Sequence, residues 1–261
     1  MINGVGRFGV RMLWLSALVS SAGCAMPEPP KLAGHAAAEE MPLIQPGKLG
    51  GAADVRRMFF DFWNEQVVRE NVAVSTVFMG DSITELWDLP VYFASNDGII
   101  QNRGISGDLA SAMARRFQAD VVQLRPRTVV ILAGTNDVSS LLRENRGENQ
   151  IIREVGASIE SMMDQARAAK LNVLVCSILP TNSDYRMHAE GKKLRSDINE
   201  KIREACKEKG CIYVDYASQM SDANGDLRKD LARDGLHPHY KGYEIMARML
   251  KEAAAAHRIR L

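Results

Sequence analysis

The fold class follows from one stretch of the chain, Val74-Ser75-Thr76-Val77-Phe78-Met79-Gly80-Asp81-Ser82. Its apolar, β-branched part is too short for a helix and predicts a buried strand. Gly80 permits a sharp turn where the strand stops, and a helix-compatible segment follows. Ser82 is therefore expected at the carboxyl end of a strand, the edge where open α/β sheets bind ligands. Taken alone, Asp81 and Ser82 could equally be a helix cap.

The rest of the chain alternates between short apolar runs and amphipathic segments. We predict strands at 74–79, 99–101, 128–133, 172–179 and 211–215. Helices are predicted at 54–69, 109–117, 151–169, 192–209 and 242–256, and the polar stretch that continues to Asn149 is predicted to be a loop. This alternation predicts a parallel sheet covered by helices on both faces, with right-handed connections.

Composition limits the class of protein. The 261 residues are 46% hydrophobic and 25% charged, which suits one globular domain with an appendage. The net charge is +1 and only 6% of residues are aromatic, so we expect no nucleic-acid partner. A Gly-x-Gly-x-x-Gly pattern at Gly4 to Gly9 has no strand before it, so we expect no dinucleotide cofactor.

The N-terminal segment has the order of a secretory signal. Arg7 and Arg11 precede an apolar run at 12–19, and small residues lead to Cys24. Ala22-Gly23-Cys24 resembles the end of a bacterial lipobox, although Ser21 stands where that pattern prefers Leu. Two outcomes stay open, namely lipidation of Cys24 and ordinary cleavage nearby. Either outcome predicts export from a bacterial cytoplasm. A lipidated protein would lie in the periplasm or cell envelope and contact the membrane only through its lipid anchor, and a cleaved protein would be secreted.

These features divide the chain into three parts. Residues 1–23 are predicted to be the signal peptide. Residues 24–53, rich in Pro, Gly and Ala, are predicted to be a flexible linker. Residues 54–261 are predicted to be the folded domain.

Residues suited to acyl transfer follow the predicted strands. A serine such as Ser82 is a weak nucleophile unless a base takes its proton, and His237 is the best-placed base. Asp234, three residues earlier, is close enough to hold the imidazole tautomer. The backbone N–H groups of Ser82 and Gly107 and the amide of Asn136 are candidate donors to an oxyanion. Each has an ordinary structural alternative, but their joint position at strand ends favours a site.

Four blocks carry a family resemblance. They are Gly80-Asp81-Ser82, Asn102 to Asp108, Gly134-Thr135-Asn136-Asp137 and Asp234-Gly235-Leu236-His237-Pro238. The chain resembles the SGNH hydrolase (GDSL lipase/esterase) family, and most closely bacterial acylhydrolases similar to platelet-activating-factor acetylhydrolase. The resemblance implies a flavodoxin-like three-layer α/β/α fold with five parallel strands in the order 2-1-3-4-5. It also implies a Ser82 nucleophile, a His237 base supported by Asp234, and oxyanion donors at Ser82, Gly107 and Asn136.

The expected activity is two-step hydrolysis of carboxylic esters, with short-acyl or O-acetyl esters favoured and no metal needed. The alternatives are a lysophospholipase-type lipid acylhydrolase and a non-catalytic surface lipoprotein that binds a sugar or lipid. Asp81, Trp87 and Tyr185 are candidates for the substrate pocket. The alternative for Trp87 and Tyr185 is core or rim packing, and the alternative for Asp81 is a helix cap. Whether Cys206 and Cys211 pair as a disulfide is left open.

Overall fold

The computed structural model describes residues 42–50, 52–143 and 146–261. The predicted signal peptide, Cys24 and most of the predicted linker lie outside the described residues. In the last part of that linker, Ile44 exchanges two hydrogen bonds with the side chain of Gln123, at 2.9 and 3.0 Å. No helix in the described part of the chain combines the length and apolar character needed to cross a bilayer.

A parallel sheet forms the centre of the domain. Its strands are β1 (Val74–Gly80), β2 (Ile99–Gly104), β3 (Thr128–Leu132), β4 (Asn172–Cys176) and β5 (Ile212–Val214). They lie in the order β2-β1-β3-β4-β5, which confirms the predicted fold class and strand order. The register places Gly80 beside both Gly104 and Leu132, so three strands end together at one edge.

Helices cover both faces of the sheet. They are α1 (Ala52–Arg69), α2 (Ser82–Glu85), α3 (Leu89–Tyr92), α4 (Ala110–Asp120), α5 (Thr135–Arg143), α6 (Glu148–Ala168), α7 (His188–Lys209), α8 (Tyr216–Met220) and α9 (Tyr240–Ala256). Successive side chains of a strand point to opposite faces. Accordingly Val77 and Met79 lie in one hydrophobic core, whereas Phe78 lies in the other. The result is a three-layer sandwich with two cores.

The segment after Asn136 differs from its prediction. Where a polar loop up to Asn149 was expected, the chain forms α5 at Thr135–Arg143 and begins α6 at Glu148. Val138 is buried, and its N–H donates to the carbonyl of Gly134 at 3.0 Å, which starts the helix. The loop prediction was wrong here because burial of this apolar side chain outweighs the polar character of its neighbours.

A buried polar network contacts the carboxyl ends of β1 and β2. The guanidinium of Arg116 contacts the carboxylates of Asp108 and Asp120 at 2.8 and 3.0 Å. The same guanidinium donates to the carbonyl oxygens of Gly80 and Arg103, at 3.2 and 2.9 Å. Arg116 therefore ties the ends of β1 and β2 to α4.

Replacing Arg116 with Leu should lower the free energy of unfolding by at least about 3 kcal/mol, because buried Asp108 loses its cation and buried Asp120 keeps Arg57 but loses its second one. Urea unfolding monitored by circular dichroism measures the change. Arg248→Ala is the matched control, since its pair with Glu252 at 3.4 Å is solvent-exposed and such pairs contribute little. Equal effects of the two substitutions would show that the network does not stabilise the fold.

Candidate active site

Ser82 lies at a tight strand-to-helix turn. It is the first residue of α2, directly after β1, and Asp81 caps this helix by accepting a hydrogen bond from the Ile83 N–H at 2.9 Å. A Cβ at Gly80 would lie 2.0 Å from the hydroxyl oxygen of Thr84, so the turn has no room for a side chain there. The turn leaves the Ser82 side chain half-buried at the carboxyl edge of the sheet.

Ser82, His237 and Asp234 form a continuous hydrogen-bonded series. Oγ of Ser82 lies 3.0 Å from Nε2 of His237, and Nδ1 of His237 lies 2.6 Å from Oδ2 of Asp234. Because a carboxylate accepts only, it favours the tautomer with the proton on Nδ1. Nε2 is then the nitrogen that accepts a proton from the serine. This arrangement can activate a hydroxyl as a nucleophile.

Hydrogen bonds favour the ionised form of the Asp234 carboxylate. Its other oxygen, Oδ1, accepts from the backbone N–H groups of Leu236 and His237 at 3.0 and 2.8 Å. Burial acts to raise the pKa of Asp234, but the hydrogen bonds from His237 and these N–H groups outweigh it and hold the pKa below its ordinary value. The carboxylate can therefore stabilise an imidazolium when one forms.

The loop of Asn182 and Tyr185 packs against the turn that carries Asp234 and His237. Gly235 has a φ of +73°, and a Cβ there would lie 2.4 Å from Oδ1 of Asn182 and 2.6 Å from the Tyr185 nitrogen. The Asn182 N–H donates to the Gly235 carbonyl at 3.1 Å, and Asn182 is itself buried. Asn182 was not identified from the sequence, because its partner lies in a distant loop.

The two other predicted oxyanion donors occupy neighbouring loops. Gly107 is exposed, has a φ of +82°, and has open space where a Cβ would lie, so a ligand can approach its backbone closely. The Asn136 side chain donates through Nδ2 to the Asp108 carbonyl at 3.0 Å. This hydrogen bond joins the start of α5 to the loop of Gly107. The loop in turn pairs with β1, because the Ile105 N–H donates to the Gly80 carbonyl at 3.0 Å.

Two buried carboxylates lie under the site. Burial raises the pKa of Asp81 to about 6, opposed by its hydrogen bonds with Ile83 and Thr135. Burial likewise raises the pKa of Asp137 to about 6. The hydrogen bond that its carboxylate accepts from the Ala110 N–H, at 3.0 Å, opposes this rise. Each carboxylate thus accepts a backbone N–H from the first turn of a helix, Asp81 at α2 and Asp137 at α4. Asp81 has no exposed surface, so it acts as a cap rather than as the pocket residue that was suggested.

The two aromatic candidates for the pocket have different surroundings. Trp87 is only 3% exposed and stacks on Tyr243 with ring centroids 5.3 Å apart, inside the hydrophobic core. Its assignment to the pocket is therefore corrected to core packing. Tyr185 is half-buried and its hydroxyl lies 2.7 Å from Oγ of Ser139, so it presents a polar pair beside the loop of Asp234.

The cysteines in the described part of the chain are free thiols. Cys206 is buried, and a hydrogen bond with Cys211 together with burial raises its pKa. Among the same described residues, no group of three or more His, Cys, Asp or Glu side chains is arranged to hold a metal ion.

Comparison with known proteins gives several matches. The sequence profile of the GDSL-like lipase/acylhydrolase family matches residues 78–245. The structure of a GDSL-like lipase from Bacteroides thetaiotaomicron is 31% identical with a TM-score of 0.61, over 76% of this chain and 99% of the lipase. A protein from Bacteroides fragilis, provisionally described as an acylhydrolase, is 28% identical with a TM-score of 0.65, over 80% and 99% of the two chains.

A variant of an acetyl-xylooligosaccharide esterase from Geobacillus shares the fold, with 19% identity and a TM-score of 0.59, over 73% of this chain and 99% of the esterase. Among proteins with curated descriptions, none matches the chain in sequence. The family profile covers more than half of the chain, and the Bacteroides thetaiotaomicron lipase is matched over nearly its whole length. The chain therefore belongs to the GDSL-like lipase/acylhydrolase family.

Proposed function

We propose that this protein is a serine esterase that hydrolyses carboxylic esters, with short-acyl or O-acetyl esters as substrates. The observation that carries the proposal is the hydrogen-bonded series from Ser82 through His237 to Asp234, at 3.0 and 2.6 Å. Nucleophile, base and orienting carboxylate are the three groups that serine-dependent acyl transfer requires. Membership of a family of lipases and acylhydrolases supports the same reaction class.

The first step forms an acyl-enzyme. Oγ of Ser82 attacks the ester carbonyl carbon while Nε2 of His237 takes the hydroxyl proton, and Asp234 stabilises the resulting imidazolium. His237 then gives this proton to the leaving alcohol. In the second step His237 takes a proton from water, which attacks the acyl carbon, and the acid leaves as the proton returns to Ser82.

The negative charge of each tetrahedral intermediate needs hydrogen-bond donors. We assign this role to the backbone N–H groups of Ser82 and Gly107 and to the side-chain amide of Asn136. The open space at Gly107 allows a substrate oxygen to approach, and the hydrogen bond to the Asp108 carbonyl orients the Asn136 amide. Donors held in place before reaction stabilise the transition state without reorganisation.

Two features support short acyl groups. Trp87, the aromatic residue that follows the nucleophile in sequence, packs in the core rather than offering an apolar wall. The Geobacillus relative of the same fold acts on acetylated xylooligosaccharides, and its catalytic variants include one with a serine and one with a histidine replaced by alanine. An acetylated glycan is therefore the favoured substrate class.

A lipid acylhydrolase is the second candidate, favoured by one observation. Five large apolar side chains of α1 are exposed, and they are Val55, Met58, Phe59, Phe62 and Trp63. Exposed aromatic and aliphatic side chains on one helix are typical of proteins that contact lipid surfaces.

The proposed location is outside the bacterial cytoplasm, with Cys24 as the lipid anchor, and no nucleic-acid partner is proposed.

Replacing Ser82 with Ala should abolish ester hydrolysis while leaving the melting temperature nearly unchanged, because only the attacking hydroxyl is removed. Hydrolysis of p-nitrophenyl esters from acetate to palmitate measures the activity. Ser161→Ala, at an exposed position of α6, is the matched control. Turnover that falls with chain length supports the short-acyl assignment, and turnover that rises with chain length supports the lipid alternative. Retained turnover in the Ser82 variant would remove this residue from the mechanism.

Replacing Asn136 with Ala should lower kcat by about 10²–10³ with little change in KM, because the lost donor acts on the oxyanion and not on the bound ester. Steady-state kinetics with p-nitrophenyl acetate separate the two constants. Asn149→Ala, exposed on α6, should retain full activity. A rise in KM at constant kcat would instead assign Asn136 to substrate binding.

A further inference from the structure

The last residue of α2 contacts the loop that carries Gly107. One oxygen of the Glu85 carboxylate, Oε2, accepts two hydrogen bonds from Ser106. The backbone N–H donates at 2.6 Å and the hydroxyl at 2.5 Å. Since the Ser106 carbonyl carbon forms the peptide bond with the Gly107 nitrogen, this contact holds the residue directly before the Gly107 N–H.

The geometry leaves little freedom between α2 and this loop. A Cβ at Gly104, the last residue of β2, would lie 2.2 Å from the backbone nitrogen of Glu85, so strand end and helix are in direct contact. Beyond that point Ser106 and Gly107 are exposed. On either side of them, Ile105 is held by the Gly80 carbonyl, and Asp108 by Arg116 and the Asn136 amide. The Asp108 N–H closes the turn by donating to the Ile105 carbonyl at 3.1 Å. Glu85 adds a side-chain contact to the exposed part of this turn, at Ser106.

The second oxygen of the Glu85 carboxylate faces a cation from another helix. Nε of Arg56, on α1, lies 3.3 Å from Oε1 of Glu85. The Arg56 guanidinium also lies over the rings of Phe60 and Trp63, with its carbon 5.7 and 5.8 Å from the ring centroids. These aromatic contacts hold the cation beside Glu85. α1 precedes residues 78–245, so Arg56 reaches the site from outside the segment that matches the family profile.

The charges of this pair matter for the chemistry. A carboxylate close to a developing oxyanion opposes its formation, whereas a neighbouring cation offsets that effect. The negative charge of Glu85 alone would destabilise the oxyanion. The positive charge of Arg56 reduces this destabilisation.

We propose that Glu85 and Arg56 are positioning residues that hold the Ser106–Gly107 turn in the conformation that presents the Gly107 N–H to the oxyanion. This inference rests on the proposed esterase function. It makes α1 a part of the catalytic apparatus, although α1 contributes no residue to the series of Ser82, His237 and Asp234.

Replacing Glu85 with Ala should lower kcat on p-nitrophenyl acetate by about tenfold, a fraction of the loss expected for removing a donor outright. KM should stay within about twofold, because ground-state binding does not depend on the oxyanion donors. The affinity for a short alkylboronic acid, which forms a tetrahedral adduct with a serine nucleophile, should fall by the same factor as kcat. Glu85→Gln keeps an acceptor for Ser106 and should recover part of both losses.

Arg56→Gln should also lower kcat, by a smaller factor than Glu85→Ala. In the variant that carries both substitutions, kcat should fall by less than the product of the two single factors, because both residues act on one turn. Glu65→Ala, an exposed glutamate on α1, is the matched control and should retain full activity. Should Glu85→Ala fail to fold, Ser106→Ala removes one of the same two hydrogen bonds and should lower kcat and boronic-acid affinity together.

The outcomes separate this inference from the proposed function. Activity that survives in Ser82→Ala would overturn the esterase mechanism and this inference together. Loss of activity in Ser82→Ala with wild-type kcat and boronic-acid affinity in Glu85→Ala would overturn the positioning role alone. A lower melting temperature with unchanged kcat would also overturn it, since that result describes a residue that only stabilises the fold.

Discussion

The close packing at the carboxyl end of β1 is the constraint on which the site depends. Gly80 lies beside Gly104 and Leu132 in the sheet, and the space where its side chain would stand is filled by Thr84 of the following helix. The absence of a side chain at Gly80 lets α2 pack directly on the end of β1, so Ser82 lies at the sheet edge as the first residue of this helix. The contact of Gly104 with Glu85 brings the Gly107 loop against the same helix. Replacing either glycine would move nucleophile and oxyanion loop apart.

Polar groups buried behind the edge keep these loops rigid. Arg116 binds the Gly80 and Arg103 carbonyl oxygens together with Asp108, whose own carbonyl accepts from Asn136. The ends of β1 and β2, the Gly107 loop and the start of α5 are therefore joined in one network. A site that must hold donors in place before the reaction needs such support, because exposed loops alone fluctuate too much to keep hydrogen-bond geometry.

The sequence predicted the sheet well because parallel strands are buried on both faces and appear as short apolar runs. It failed at α5, where charged and polar residues around Val138 concealed a helix whose apolar side chain packs in the core. It also could not separate a core tryptophan from a pocket tryptophan, since Trp87 is apolar in either role. Asn182 and the pair of Glu85 and Arg56 were missed for a different reason. Their partners are distant in sequence, and a single polar residue carries no local signal of the loop that it will contact.

The account as a whole depends on an activated Ser82. The most direct test treats the purified protein with an alkyl fluorophosphonate, which phosphonylates an activated serine, and locates the adduct by peptide mass spectrometry. The account predicts one adduct per chain, on Ser82, that forms slowly or not at all in the His237→Ala variant. An unmodified Ser82 in a protein that hydrolyses esters, or modification of Ser82 at the same rate without His237, would contradict it.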